Sequence, residues 1–139
     1  MSPPDTLLDT SAAVALVMSN HTAHEATLEF LSGQILGLSG HAWFETYSVL
    51  TRMPGPERRR PLAVRDVLDH NFPESRFLSA KKTIALAGQL AKLGITGGAV
   101  YDSLVGATAA EYDLPLTSRD QRAAPRYLAL GVRLILIEP

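Results

Sequence analysis

Thr6-Leu7-Leu8-Asp9-Thr10-Ser11 passes from an apolar triplet to a carboxylate and then to two hydroxyls. Flanked by Pro4 and by Thr10-Ser11, the triplet reads as a short buried strand, with Asp9 closing its C-terminal edge. Ser11 is placed to cap a helix running through Met18. An acid at such a position is costly unless it is paired or metal-bound. The pattern recurs along the chain. Glu45 interrupts Ala42-Trp43-Phe44 and Tyr47-Ser48-Val49-Leu50, Asp102 stands near the start of a small-residue, apolar helix, and Asp120 follows Leu114-Pro115-Leu116-Thr117-Ser118. No lysine lies near any of the four in sequence.

Outward from that first strand, apolar runs and breakers alternate. A helix is expected from Thr22 to Leu31, ended by Gly33, then a buried strand over Ile35–Ser39 and a helix from His41 to Arg52. Met53-Pro54-Gly55-Pro56 breaks that helix, and Glu57–His70 resumes it. Arg76–Ser79 reads as a weak strand, Lys81–Leu93 as an amphipathic helix stopped by Gly94, and Gly97-Gly98 as the opening of a helix from Ala99 to Tyr112. Leu114–Thr117 is a strand with Pro115 at its start. Ala123–Leu130 is a final helix and Val132–Ile137 the last strand. Short apolar strands alternating with helices predict an α/β fold, a three-layer α/β/α sandwich around a central parallel sheet. Sites in such sheets lie beyond the carboxyl ends of the strands. Asp9 and Asp120 fall at two such ends, and Glu45 and Asp102 near helix starts that can face the same edge.

With 139 residues, 46% of them hydrophobic and 19% charged, the chain is expected to form one compact domain over residues 1–139. The absence of cysteine excludes disulfides, thiolate metal sites and cysteine nucleophiles. Met1-Ser2-Pro3-Pro4-Asp5 carries no basic leader, and no stretch approaches the ~18–20 apolar residues of a membrane helix. A soluble, cytoplasmic protein is therefore expected. The net charge of −1 says less than its distribution: Arg58, Arg59 and Arg60 are consecutive, and Arg119, Arg122 and Arg126 cluster around the last acid. Arginine contacts to a phosphate-bearing partner would give affinity that weakens with salt, although the triplet read alone fits a solvated helix start equally well.

Four carboxylates converging in a low-dielectric cleft repel one another or take up protons. A hard divalent cation removes the conflict, and all-oxygen ligation favours Mg²⁺ or Mn²⁺ over zinc. A single acid of this kind is more often a helix cap or a solvated charge; the case rests on the set. His21 and His24 have helical spacing but no third nitrogen partner, so they read as surface residues.

These residues carry a family resemblance. The chain resembles PIN-domain ribonucleases, and more closely the VapC-type toxins of bacterial toxin–antitoxin systems. The matching pieces are Leu7-Leu8-Asp9-Thr10-Ser11, Glu45 in an early helix, Tyr101-Asp102-Ser103-Leu104-Val105-Gly106-Ala107-Thr108-Ala109, and Leu116-Thr117-Ser118-Arg119-Asp120-Gln121-Arg122-Ala123. The resemblance implies an endoribonuclease dependent on Mg²⁺ or Mn²⁺, with Asp9, Glu45, Asp102 and Asp120 as the acidic cluster. It implies water attack at phosphorus leaving 5′-phosphate and 3′-hydroxyl ends, inhibition by a cognate VapB-type antitoxin, and a homodimer. Ser118 would orient the Asp120 carboxylate or a metal-bound water, and Ser11 is the polar residue after the first acid. Gly106 departs from the alanine or other small residue more usual there, a matter of packing.

Other α/β chemistries fit poorly. A haloacid-dehalogenase-type phosphatase needs a second Asp where Ser11 stands. A receiver domain needs a lysine beyond a late strand, and a phosphate-loop enzyme needs a Gly-rich loop ending in Gly-Lys. The competing reading from another class is a catalytically silent PIN-like module that binds RNA or protein, against which the complete acidic quartet argues.

Overall fold

The computed structural model describes residues 3–138; Met1 and Ser2, part of the N-terminal reading above, and Pro139 lie outside them. Four short strands form one sheet: β1 (Thr6–Leu8), β2 (Leu36–Leu38), β3 (Leu116–Ser118) and β4 (Leu134–Leu136). All pairings are parallel, in the order β2-β1-β3-β4. The helices are α1 (Thr10–Val17), α2 (His24–Leu31), α3 (His41–Thr51), α4 (Pro61–Asn71), α5 (Ala80–Leu93), α6 (Ala99–Glu111) and α7 (Ala124–Ala129).

The sheet is covered on both faces because neighbouring strand residues point opposite ways. Leu8 packs with Ala12, Leu16, Leu38, Leu50, Val64 and Leu68 from α1, β2, α3 and α4. Leu7, one residue earlier, packs with Val105, Ala109, Leu116 and Tyr127 from α6, β3 and α7 and with Ala123, the cap of α7. Both leucines are fully buried. This is the three-layer α/β/α arrangement expected from the apolar runs.

Several boundaries differ for identifiable reasons. Asp9, not Ser11, caps α1, accepting a hydrogen bond from the Ala12 N–H at 3.1 Å. The helix placed over Glu57–His70 starts at Pro61, where proline's missing N–H costs nothing; before it, Gly55–Glu57 makes a single 3₁₀ turn. Arg58, Arg59 and Arg60 therefore lie on a connector, not in a helix. The strand placed at Arg76–Ser79 is reduced to one bridge between Arg76 and Ser39. Residues 74–76 still lie against β2, through Glu74 N–H to Leu36 O and Arg76 N–H to Leu38 O. Gly37 permits that approach: a Cβ there would stand 2.1 Å from the Glu74 carbonyl oxygen.

The topology locates the site. From β1 the chain moves outward to β2, then returns to β3 on the other side of β1 and continues to β4. The strand order reverses between β1 and β3, where a crevice opens beyond their carboxyl ends. Asp9 follows β1 and Asp120 follows β3.

Candidate active site

Asp9 sits at the floor of that crevice and is 3% exposed. Its extended backbone (φ −84°, ψ 178°) makes it the cap of α1, so the positive end of that helix faces the carboxylate. Four donors converge on it. Oδ1 accepts from the Ser11 hydroxyl at 2.6 Å and the Ala12 N–H. Oδ2 accepts from the Ser118 hydroxyl at 2.5 Å and the Tyr127 phenol at 3.0 Å. Burial nevertheless dominates and holds the Asp9 carboxyl above the ordinary aspartate range, while these donors pull it down. Tyr127, buried against the same carboxylate, is pushed well above the usual phenol range.

Asp9, Glu45, Asp102 and Asp120 all line one recess of about 80 Å³, together with Thr10, Ser11, Val105 and Tyr127. Asp102 lies in the first turn of α6. Glu45 projects from α3, one turn along from His41, whose Nε2 stands 3.5 Å from Glu45 Oε1. Burial raises the Glu45 carboxyl; His41 opposes the rise, and Asp102 and Asp9 add to it. Burial likewise raises Asp102, against the pull of Arg126. Mutual repulsion thus registers among the acids, as four negative groups on one small recess require.

Ser118 does not touch the Asp120 carboxylate. Its hydroxyl donates to Asp9 and accepts from the Asp120 backbone N–H at 2.9 Å. It ties the two strand ends together and orients Asp9. Asp120 Oδ1 is held by the N–H groups of Arg122 and Ala123 at 3.0 and 3.4 Å, which makes the turn into α7.

The arginines divide into groups. Arg126 donates to Asp102 at 2.8 Å and Arg122 Nε stands 3.6 Å from Asp120, so both border the recess. Arg119 turns toward α2, its guanidinium 3.5 Å from Thr27 Oγ1. Arg59 reaches the Val17 carbonyl and Arg58 the Met53 carbonyl. Val17 ends α1, a helix of 8 residues, so Arg59 meets α1 ~12 Å along its axis from the end that Asp9 caps. Neither contact brings Arg58 or Arg59 to the acids.

Tyr127 and His41 were not singled out by sequence. Tyr127 is the one aromatic of the short helix α7 and packs inward, and that pattern is the available signal.

Among the described residues, no three histidine, aspartate or glutamate side chains are drawn together tightly enough to enclose an ion as they stand. The guanidiniums on Asp102 and Asp120 supply the positive charge in this arrangement. The donor chemistry nonetheless fits a hard cation. The recess is lined by carboxylate and hydroxyl oxygens. Thr10, which also borders the recess, has its Oγ1 buried with no hydrogen-bond partner, an arrangement that native structures rarely tolerate unless something polar meets it.

Comparison with known proteins identifies the family and the fold. The PIN domain family model matches residues 6–127. Ribonuclease VapC27 of Mycobacterium tuberculosis is 42% identical over 136 residues, covering 98% of both chains. Ribonuclease VapC40 of the same organism is 41% identical over 133 residues, covering 93% of this chain and 96% of that one. The fold superposes on the crystal structure of M. tuberculosis VapC20, described as a sarcin–ricin loop cleaving toxin, with a TM-score of 0.69 at 16% identity, covering 96% of this chain and 99% of that one. It also matches a structure of VapBC2 from Rickettsia felis bound to a promoter DNA fragment, with a TM-score of 0.62 at 20% identity, covering 96% and 98%. Among the described residues no helix is long and apolar enough to cross a membrane. The chain belongs to the PIN-domain family and, within it, to the VapC-type ribonucleases.

Proposed function

We propose that this protein is the toxin of a VapB–VapC-type pair, a single-domain endoribonuclease that hydrolyses RNA phosphodiester bonds with Mg²⁺ or Mn²⁺. The observation that carries the reading is the lining of one recess by all four acids beside the unpartnered Thr10 hydroxyl. Asp9, Asp102 and Asp120 would hold the ion, with Glu45 holding it or a water. Such an ion, when bound, lowers the pKa of a water and polarises the scissile phosphate.

The remaining work falls to the chain's own residues. Ser11, Ser118, Tyr127 and the Ala12 N–H fix Asp9 in one orientation, so that it costs little reorganisation to use. Arg122 and Arg126 balance the acids in the free protein and are placed to meet the RNA backbone once released from Asp120 and Asp102. Arg119 and the Arg58–Arg60 connector are assigned at most an outer role in RNA attraction. A cognate VapB-type antitoxin is the proposed inhibitor and a homodimer the proposed assembly. The names of the VapC relatives and the VapBC2 complex support the first.

The test is incubation of RNA with the protein in Mg²⁺, Mn²⁺ or chelator, with sequencing of the cut ends. Ion-dependent cuts at defined sites support the reading; no cuts, or cuts indifferent to chelator, refute it.

A further inference from the structure

Immediately outside the acidic recess, the His41 and Tyr101 rings stack with centroids 4.7 Å apart and planes within 16° of parallel. Each ring is tied to the acids by its place in the chain. Tyr101 precedes Asp102 in the first turn of α6, and His41 meets Glu45 through Nε2. Tyr101 is 50% exposed. His41 covers one face of the Tyr101 ring while half of the residue stays exposed, so an aromatic surface lies open on the two helices that carry Glu45 and Asp102.

We propose that Tyr101, backed by His41, is a stacking platform for an unpaired RNA base next to the scissile phosphate. The inference rests on the ribonuclease reading. A nuclease that holds a phosphate at the acids must also hold the nucleotide attached to it, and every base offers a π-face to an aromatic ring. His41 Nε2 lies 3.5 Å from Glu45 Oε1 one turn along α3, so the backing ring comes from the same helix that carries the acid. Beyond it, Phe44 and Phe77 are also exposed, 6.2 Å apart across a recess lined by His41 and Leu104. That outer apolar face is the alternative occupant's territory, since a second copy of the chain could cover it.

The experiment uses the full chain carrying Asp9→Asn, so that bound RNA stays uncut. Anisotropy is read with a short fluorescein-labelled single-stranded RNA of mixed sequence and with an abasic strand of equal length. Tyr101→Ala should weaken the base-bearing strand about tenfold and leave the abasic strand unchanged. Tyr101→Phe, which keeps the π-face, should restore affinity to within about twofold. In the Asp9→Asn background alone, the base-bearing strand should bind more tightly than the abasic one. Equal loss on both strands, or no loss, overturns the platform. So does unchanged RNA affinity together with dissociation of a dimer in sedimentation, which would give the face to a second copy. If RNA is cut in an ion-dependent manner and any of these results is found, only the platform fails. If the wild-type protein neither cuts nor binds RNA, the ribonuclease reading fails with it.

Discussion

Tyr127 and Asp9, 118 positions apart in sequence, share a buried hydrogen bond of 3.0 Å from phenol to Oδ2. The bond joins α7 to the end of β1, so the last helix of the fold reports directly on the first acid of the site. Because the Tyr127 O–H favours the ionised carboxylate, Tyr127→Phe should raise the Asp9 pKa further while leaving the ring packed. Loss of such an outer partner costs ~10–100-fold in metal affinity or activity. Calorimetric Mn²⁺ titration and the pH dependence of RNA cleavage check this: affinity should drop, and the acid limb should move to higher pH.

Asp9 itself makes stability depend on pH. Its carboxyl is raised in the folded chain, so the folded state binds the proton more tightly than the unfolded one and stability falls as pH rises. The contribution is full below the ordinary value of 3.8 and is lost as pH passes through the raised folded value. Glu45 and Asp102 shift in the same direction. In chelator, the melting temperature of Asp9→Asn should gain on wild type as pH increases, and Mn²⁺ should remove the advantage. A pH-independent difference would contradict the assignment.

The two arginine groups should behave differently toward salt. Arg122→Ala with Arg126→Ala should reduce the slope of log RNA affinity against log salt by about one for each arginine–phosphate pairing removed. Replacing Arg58, Arg59 and Arg60 by Ala should change the slope less, because Arg58 and Arg59 are spent on the Met53 and Val17 carbonyls. The Arg126 variant should also bind Mn²⁺ more tightly than wild type, since Asp102 loses its internal cation.

Gly37→Ala tests the packing that supports the crevice. The added Cβ would meet the Glu74 carbonyl oxygen at 2.1 Å and the Ser75 nitrogen at 2.8 Å, and both are backbone. Overpacking of this kind costs ~1–3 kcal/mol, which urea unfolding would measure as a lower midpoint. An unchanged midpoint would mean residues 74–76 can leave β2 freely.

What could be read from the chain beforehand follows from range in sequence. Leu7-Leu8-Asp9 and Leu116-Thr117-Ser118 declare buried strands ending at polar groups, and α/β topology then brings Asp9 and Asp120 to one edge without further information. Side-chain assignments that span the chain were not legible. Ser118 bonds Asp9 across 109 positions and Arg126 bonds Asp102 across 24, and no local pattern encodes either. Helix starts failed where two candidates competed. Ser11 and Asp9 are both good caps, and the strand end decided for Asp9. Arg76–Ser79 had strand composition, but only Arg76 reaches β2's neighbour Ser39.

The central claim is that Asp9 anchors a metal-dependent ribonuclease site, and the cleavage rate of Asp9→Asn at saturating Mn²⁺ tests it most directly. Asn keeps the helix cap, so the fold should persist by circular dichroism. Cleavage should fall more than ~100-fold, beyond the loss of an outer hydrogen-bond partner. A folded Asp9→Asn variant that cuts RNA at near the wild-type, Mn²⁺-dependent rate would contradict the account.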